Sequence, residues 1–156
     1  MIILGIDPGY ERCGFAVLEA SNEGIKLIDY GVIKTPAGAA FELRLEELGD
    51  DFQYLIEKYK PNVLSMEDLF FAQNVTTAMK VSQVRGVFMY LAHKSGLQIL
   101  EPKPVEIKKS FCGDGKADKK AMQQMAQMTF KLEAKPKLDD AADAIGAAFY
   151  AVGRRF

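Results

Sequence analysis

Histidine and cysteine are scarce in this chain, which has one histidine and two cysteines among 156 residues. His93 alone cannot complete a metal cluster, and the spacing of Cys13 and Cys112 fits neither a zinc site nor a redox motif. We therefore expect two ordinary thiols in a reducing compartment, and any metal site must be built from other ligands.

Long apolar runs are also missing. No run reaches the ~18 residues of a membrane span, and the N-terminus lacks the basic start and apolar core of a signal peptide. We expect a cytoplasmic protein with no membrane partner. Since no repeat, low-complexity tract or long linker divides the sequence, the length predicts a single domain over residues 1–156.

The net charge of −1 is small, but the charges are unevenly distributed. Residues 1–68 hold 6 basic and 13 acidic side chains, whereas residues 69–156 hold 14 basic and 8 acidic ones. Within the second part, residues 103–137 carry nine lysines against four acids. A polyanion could bind this side, although a solvated lysine-rich surface is the simpler interpretation of charge alone.

Apolar runs and periodicities predict an alternation of strands and helices. The order is three strands, a helix, a strand, a helix, a strand and two helices, which indicates an α/β fold with a five-stranded mixed sheet. The basic segment before the last two helices has no predicted element. The predicted strands are 1–7, 13–20, 25–35, 62–68 and 97–102, and the predicted helices are 40–59, 75–94, 119–132 and 139–152.

The predicted helix 75–94 is apolar on more than one side. Val84 and Phe88 share one face with other apolar residues, while Met79 and Tyr90 lie on other faces. Such a helix must bury more than one side, either in the core or against a partner.

Carboxylates gather at the ends of predicted elements. Asp7 and Glu67 end two strands, and Asp140 and Asp143 lie three residues apart on one face of the last helix. If the first and fourth strands are neighbours, Asp7 and Glu67 meet at one edge of the sheet, and the last helix could bring its acids there. Each acid alone is more simply explained by a turn, a strand end or a helix terminus, but together they indicate a site.

Four carboxylates in one pocket would repel each other and therefore need a cation. An all-oxygen ligand set suits a hard ion, Mg²⁺ or Mn²⁺. Two such ions about 3.5–4 Å apart could activate a water and stabilise the leaving oxygen of a phosphodiester. This chemistry is that of a nuclease.

Four motifs, in order along nearly the whole chain, resemble the RuvC family of Holliday junction resolvases. They are GIDPG at 5–9, MEDLFFAQN at 66–74, SQVRG at 82–86 and DAADA at 140–144. The resemblance implies a ribonuclease H-like fold, an Mg²⁺ cofactor with two ions per subunit (Mn²⁺ substituting), and a homodimer formed through helix 75–94. It also implies a branch-migration helicase complex as a partner.

By motif position, the resemblance implies that Asp7, Glu67, Asp140 and Asp143 are the catalytic and metal-binding residues. Asp139 precedes Asp140 and could substitute for it or cap the helix. Asp68 follows Glu67, where the family usually has a neutral residue.

Five residues are expected to bind DNA, three of them because they match residues of the family and two, an asparagine and an arginine, as further contacts to the DNA backbone. An aromatic side chain three residues after Glu67 would stack on a base, and core packing is its alternative. Two lysines would bind phosphate near the scissile strand, with Lys109 and Lys120 as neighbours that could take their place. The arginine among the five could equally form a structural ion pair. The five residues are Phe70, Asn74, Arg85, Lys108 and Lys119.

The function implied is that of a Holliday junction resolvase in DNA recombination and repair. Such an endodeoxyribonuclease makes paired symmetric nicks in four-way junctions by attack of a metal-activated water, leaving 5′-phosphate and 3′-hydroxyl ends. The alternatives are a ribonuclease H-like nuclease that processes ribosomal RNA precursors and a junction-binding protein without cleavage. An actin-like kinase or ATPase, which also begins GIDxG, would need two such domains, and the length allows one.

Overall fold

The computed structural model describes residues 1–69 and 74–154, and five strands and five helices lie within them. None of these helices is both long and apolar enough to cross a bilayer. In chain order the elements are β1 (Ile2–Asp7), β2 (Arg12–Ser21), β3 (Gly24–Lys34), α1 (Phe41–Tyr59), β4 (Val63–Met66), α2 (Val75–Lys94), β5 (Gln98–Leu100), α3 (Pro104–Cys112), α4 (Lys119–Phe130) and α5 (Asp139–Tyr150).

The strands form one mixed sheet in the order β3-β2-β1-β4-β5. The first three strands are an antiparallel meander, while β1 pairs with β4, and β4 with β5, in parallel. The predicted α/β fold with a five-stranded mixed sheet is confirmed, as is the expectation that the first and fourth strands are neighbours. That residues 1–156 form a single domain stays a prediction.

Helices cover both faces of the sheet because its central strands are apolar on both sides. Along β1, Ile3 packs into the core beneath α3, α4 and α5, while Leu4 and Ile6 pack into the core beneath α1 and α2. This alternation follows from the two-residue period of a strand. On the α1–α2 side, Phe52 and Phe88 stack with ring centroids 4.4 Å apart.

Helix α3 was missed by the sequence analysis, which left this basic segment without an element. Pro104 occupies its first turn, and the carboxylate of Glu106 accepts a hydrogen bond of 2.8 Å from the main-chain N–H of Lys103. Proline at the first helical position and an acid two residues later are helix-start signals. At nine residues, α3 is too short for periodicity to reveal it.

Candidate active site

The parallel pairing of β1 with β4 places Asp7 beside Glu67. Ile6 is in register with Met66, and the main-chain N–H of Glu67 donates a 3.0 Å hydrogen bond to the carbonyl of Ile6. Asp7 ends β1 and Glu67 directly follows β4. Both carboxylates therefore lie at the carboxyl edge of neighbouring parallel strands, where functional groups of α/β sheets commonly gather.

Two glycines allow α5 to lie directly on the sheet next to Asp7. A Cβ added at Gly5 would be 2.3 Å from the carbonyl oxygen of Ala144, and one at Gly14 would be 1.9 Å from the carbonyl oxygen of Asp140. The buried face of α5 consists mainly of small alanines. This close approach brings the start of α5 to the edge that carries Asp7, since Gly14 is paired with Asp7 in the sheet.

The electrostatics show that the four acids converge. Burial raises the pKa of Asp7 well above its ordinary value, and the charges of Glu67, Asp143 and Asp140 raise it further. Burial also raises the pKa of Glu67 to about 7 and that of Asp143 to about 6, with repulsion between neighbouring carboxylates adding to the effect. Ionising all of them together at neutral pH is therefore costly without a cation.

The donor set fits a hard divalent cation. Its potential ligands are carboxylate oxygens, which Mg²⁺ and Mn²⁺ prefer. One oxygen of Asp140, Oδ2, is buried without a hydrogen bond, and Asp7 is buried among like charges. Among the described residues, no three His, Cys, Asp or Glu side chains are arranged closely enough to bind one ion. Metal binding therefore requires the carboxylates of the cluster to rotate.

Asp139 differs from the other acids of this region. Its carboxylate pairs with the ammonium of Lys119 and lies 3.8 Å from Nη2 of Arg12. The hydrogen bond from Lys119 lowers the pKa of Asp139. It is the first residue of α5, whose N-cap is Leu138, so Asp139 is neither the cap nor a member of the group with raised pKa values.

Two predicted DNA-binding lysines line a small cavity beside the acids. The cavity has a volume of about 120 Å³, and its walls include Glu67, Asp143, Lys108 and Lys119. The charge of Lys108 lowers the pKa of both Glu67 and Asp143, which opposes the effect of burial. Positive and negative groups thus face one opening, as a site for a metal and a phosphate requires.

The other predicted DNA-binding residues are placed differently. Arg85 is buried, donates a hydrogen bond to the main-chain carbonyl of Glu67 and pairs with Glu101 and Asp68. This geometry supports the structural ion pair that the sequence left open. Asn74 is exposed and caps α2 by accepting a hydrogen bond of 3.2 Å from the main-chain N–H of Thr77. Phe70 lies outside the described residues.

Arg12 contacts the site, although the sequence analysis did not single it out. Its Nε lies 3.2 Å from Oδ2 of Asp140. A signal was available, because Arg12 begins the strand that runs antiparallel to β1 and so lies near the end that carries Asp7.

Comparison with known proteins identifies the family. The profile of the family "Crossover junction endodeoxyribonuclease RuvC" matches residues 3–150. A protein of that name from Petrotoga mobilis is 43% identical over 149 residues, which cover 96% of this chain and 91% of the relative. One from Heliobacterium modesticaldum is 40% identical over 148 residues, covering 95% and 91%.

Solved structures of resolvases share the fold. Thermus thermophilus RuvC in complex with Holliday junction substrate has a TM-score of 0.88 at 24% identity, covering 96% of this chain and 92% of that one. The yeast mitochondrial Holliday junction resolvase Ydc2 has a TM-score of 0.68 at 15% identity, covering 95% and 76%. The ribonuclease H-like fold is thereby confirmed. With the family profile spanning residues 3–150, the chain belongs to the RuvC family of crossover junction endodeoxyribonucleases.

Proposed function

We propose that this protein is a Holliday junction resolvase, an endodeoxyribonuclease that makes paired, symmetric nicks in four-way DNA junctions. Family membership supports the reaction, since the curated relatives bear the name crossover junction endodeoxyribonuclease. The Thermus thermophilus protein that shares the fold is described in complex with a Holliday junction substrate. An enzyme that cuts such junctions acts in DNA recombination and repair.

One observation carries the proposal: Asp7, Glu67, Asp140 and Asp143 converge at one edge of the sheet. They come from two parallel strand ends and one helix, and burial and repulsion together raise the pKa of three of them. A merely structural role does not explain acids placed where they destabilise each other. Perturbed carboxylates grouped beside a cavity are typical of a catalytic site.

These four carboxylates would hold Mg²⁺, two ions per subunit, with Mn²⁺ as a substitute. Bound there, the cation would supply charge neutralisation and an activated water for attack on phosphorus. Asp7 ends the central strand β1, while Glu67 and Asp143 face the cavity. Release of Asp140 from Arg12 would complete the ligand set.

Lys108 would bind the scissile phosphate from the opposite wall of the same cavity. A lysine in this position offsets the negative charge that develops on the phosphate during attack. Lys119 is largely exposed but pairs with Asp139, so it can reach a phosphate only by leaving that partner. Phe70, which lies outside the described residues, stays a prediction for stacking on a base, and Asn74 one for contact with the DNA backbone.

Paired nicks require two active sites, and α2 offers a surface for a second copy. Val75, Met79 and Tyr90 are apolar or aromatic and more than 60% exposed. A groove of about 990 Å³ runs between α1 and α2, with the acidic Glu46 on its α1 wall and Lys94 on its α2 wall. In a two-fold dimer the acidic wall of one copy could face the basic wall of the other. This charge complementarity supports a homodimer through helix 75–94. The helicase partner stays a prediction of the family resemblance.

The test is cleavage of a synthetic mobile four-way junction in Mg²⁺, beside linear duplex DNA and single-stranded RNA. We expect symmetric nicks on the junction alone, and DNA ligase should reseal them because each carries a 5′-phosphate and a 3′-hydroxyl. Asp143→Asn should abolish cutting. Asp51→Asn, which changes an exposed acid of α1 outside the cluster, is the matched control and should cut normally.

Two outcomes would contradict this function. Tight junction binding without nicks in either Mg²⁺ or Mn²⁺ would leave a binding protein, and cutting of RNA alone would move the protein to RNA processing. If Asp143→Asn cut as well as Asp51→Asn, the acidic cluster would not be the active site.

A further inference from the structure

Arg12 is a cation built into the edge of the acidic cluster. Its Nε lies 3.2 Å from Oδ2 of Asp140, and its Nη2 lies 3.8 Å from Oδ1 of Asp139. The arginine side chain is 47% exposed, whereas that of Asp140 is 17% exposed. The guanidinium therefore sits at the mouth of the site, between a buried carboxylate and solvent.

The backbone fixes this proximity. Gly14, two residues after Arg12 on β2, packs so closely on the carbonyl of Asp140 that a Cβ would be 1.9 Å from it. The start of β2 and the start of α5 are thus locked together, and only the long arginine side chain is free to swing away. The contact can open without any movement of the main chain.

The contact neutralises Asp140 without satisfying it. Oδ2 of Asp140 is buried, and although Arg12 is near, the geometry leaves this oxygen without a hydrogen bond. A buried carboxylate oxygen without a hydrogen bond has a lone pair available for a divalent cation. The guanidinium cannot deprotonate at any ordinary pH, so its charge persists wherever the side chain goes.

We propose that Arg12 is the internal counter-ion of Asp140 and that a divalent metal must displace it to bind. This rests on the proposed metal site. Without metal, Arg12 offsets the charge of a carboxylate that is buried among others. When metal binds, the guanidinium moves towards solvent, and its positive charge opposes the incoming cation. Arg12 is therefore a positioning residue that sets the metal affinity of the site.

The proposal predicts effects of opposite sign on two quantities. Loss of the arginine charge should lower the stability of the metal-free protein, because Asp140 loses its partner. The same loss should tighten metal binding, because a competitor is gone. A purely structural ion pair would instead weaken both, since a loosened site binds metal less well.

The experiment is a titration of purified protein with Mn²⁺, in which electron paramagnetic resonance measures the free ion. Arg12→Gln should bind Mn²⁺ about three- to tenfold more tightly than the wild type, the range expected when one nearby unit charge is removed. Arg12→Lys keeps the charge and should stay close to the wild type. Lys34 is the cross-strand neighbour of Arg12; it is exposed and forms no ion pair among the described residues. Lys34→Gln should therefore change the Mn²⁺ affinity little.

Thermal unfolding without metal gives the second readout, with a lower Tm expected for Arg12→Gln alone. Unchanged or weaker Mn²⁺ binding by Arg12→Gln would overturn the counter-ion role while leaving the metal site intact. If neither the wild type nor Arg12→Gln bound Mn²⁺, the metal site would fail and the counter-ion role with it. Equal tightening by Lys34→Gln would also overturn it, since general charge would then be the cause.

Discussion

The guanidinium of Arg85 donates a hydrogen bond to the main-chain carbonyl of Glu67, and its other arm pairs with the carboxylate of Glu101. Asp68 adds a third contact, 3.3 Å from Nη2 of Arg85. One buried side chain of α2 thus holds the end of β4 and the segment after β5. The helix proposed for dimerisation is thereby tied to a proposed catalytic acid.

This network predicts that Arg85→Lys impairs catalysis rather than DNA binding. Lysine keeps the charge but cannot donate through two arms at once, and a buried polar group left unpaired costs about 1–3 kcal/mol. We expect Glu67 to lose its fixed position, so that the single-turnover cleavage rate at saturating protein falls at least about tenfold, which is 1.4 kcal/mol. Junction affinity, measured by gel shift without metal, should change little.

Glu101→Gln is the companion variant, because it removes one of the two carboxylate partners of Arg85 and keeps the shape of the side chain. Its cleavage rate should also fall while its junction affinity stays unchanged, but the fall should be smaller than for Arg85→Lys. Weakened junction binding by Arg85→Lys with a normal rate at saturation would instead show that Arg85 contacts DNA, the other role that the sequence analysis gave it.

Lys108 and Lys109 form a matched pair for testing the phosphate-binding role. Lys108 lines the cavity with Glu67 and Asp143, whereas Lys109, the next residue of α3, is exposed and not part of the cavity wall. Lys108→Ala should reduce the cleavage rate by roughly 10²-fold, the usual effect of removing a group that stabilises transition-state charge. Lys109→Ala should retain the rate.

The pH dependence of cleavage separates two roles of Lys108. Its charge lowers the pKa of Glu67 and of Asp143, so its removal should let both rise. The acidic limb of the pH–rate profile of Lys108→Ala should then move to higher pH. A slow variant with an unshifted profile would limit Lys108 to phosphate binding, and equal losses in both alanine variants would contradict a specific role.

Much of this architecture follows from local pattern in the sequence. The strand ends at Asp7 and Glu67 are visible because short apolar runs stop at acids, and the face shared by Asp140 and Asp143 follows from helical spacing. The pairing of β1 with β4 could only be assumed, since a sequence pattern does not show which strands are neighbours. Here the family motifs supplied what periodicity could not.

What escaped prediction depends on tertiary contacts. The sequence left Arg85 open between a DNA contact and a structural ion pair, because its burial arises only when α2 packs beside the ends of β4 and β5. The pairing of Arg12 with Asp140 depends on the close approach of β2 and α5 at Gly14. Sequence spacing carries no information on either distance.

Gly14 is predicted to be essential for the geometry of the site. A Cβ at this position would be 1.9 Å from the carbonyl oxygen of Asp140, and a backbone atom cannot move aside as a side chain can. Gly14→Ala should push α5 off the sheet, lowering the free energy of unfolding by about 1–3 kcal/mol or more and reducing Mn²⁺ binding. Denaturant unfolding and metal titration measure the two effects.

Gly31→Ala is the graded control for this clash. There the added Cβ would meet only the ring of Phe15, at 2.9 Å, and the ring can shift. We expect a smaller loss of stability and normal Mn²⁺ binding. A Gly14→Ala protein that bound Mn²⁺ normally would show that the close approach of α5 is not needed for the site.

The dimer surface can be tested with two exposed methionines. Met79 on α2 is 61% exposed and Met128 on α4 is 65% exposed. A change to glutamate therefore replaces a similarly exposed apolar side chain by a charge at either position. Met79→Glu should place like charges within the proposed interface and yield a monomer in sedimentation equilibrium, with loss of paired nicks. Met128→Glu should remain dimeric, and dissociation by both variants or by neither would argue against an interface on α2.

The acidic cluster should make the metal-free protein less stable as pH rises from about 4 to about 7. Burial and repulsion raise the pKa of Glu67 from 4.5 to about 7 and that of Asp143 from 3.8 to about 6. In this window these two carboxyl groups bind more protons in the folded protein than in the unfolded chain, so their contribution to stability is present at low pH and lost as pH rises through the folded pKa values. Divalent metal should restore it by binding the folded state alone.

Asp143→Asn removes one of the repelling charges and gives the cleanest comparison. Without metal, its free energy of unfolding should exceed that of the wild type by on the order of 1–3 kcal/mol at pH 7.5, and by little at pH 4, where the wild-type acid is mostly protonated. Mg²⁺ should stabilise the wild type more than the variant, while Asp51→Asn should follow the wild type throughout. A gain that did not grow with pH would mean that Asp143 is not repelled by its neighbours, because only its ionised form can be.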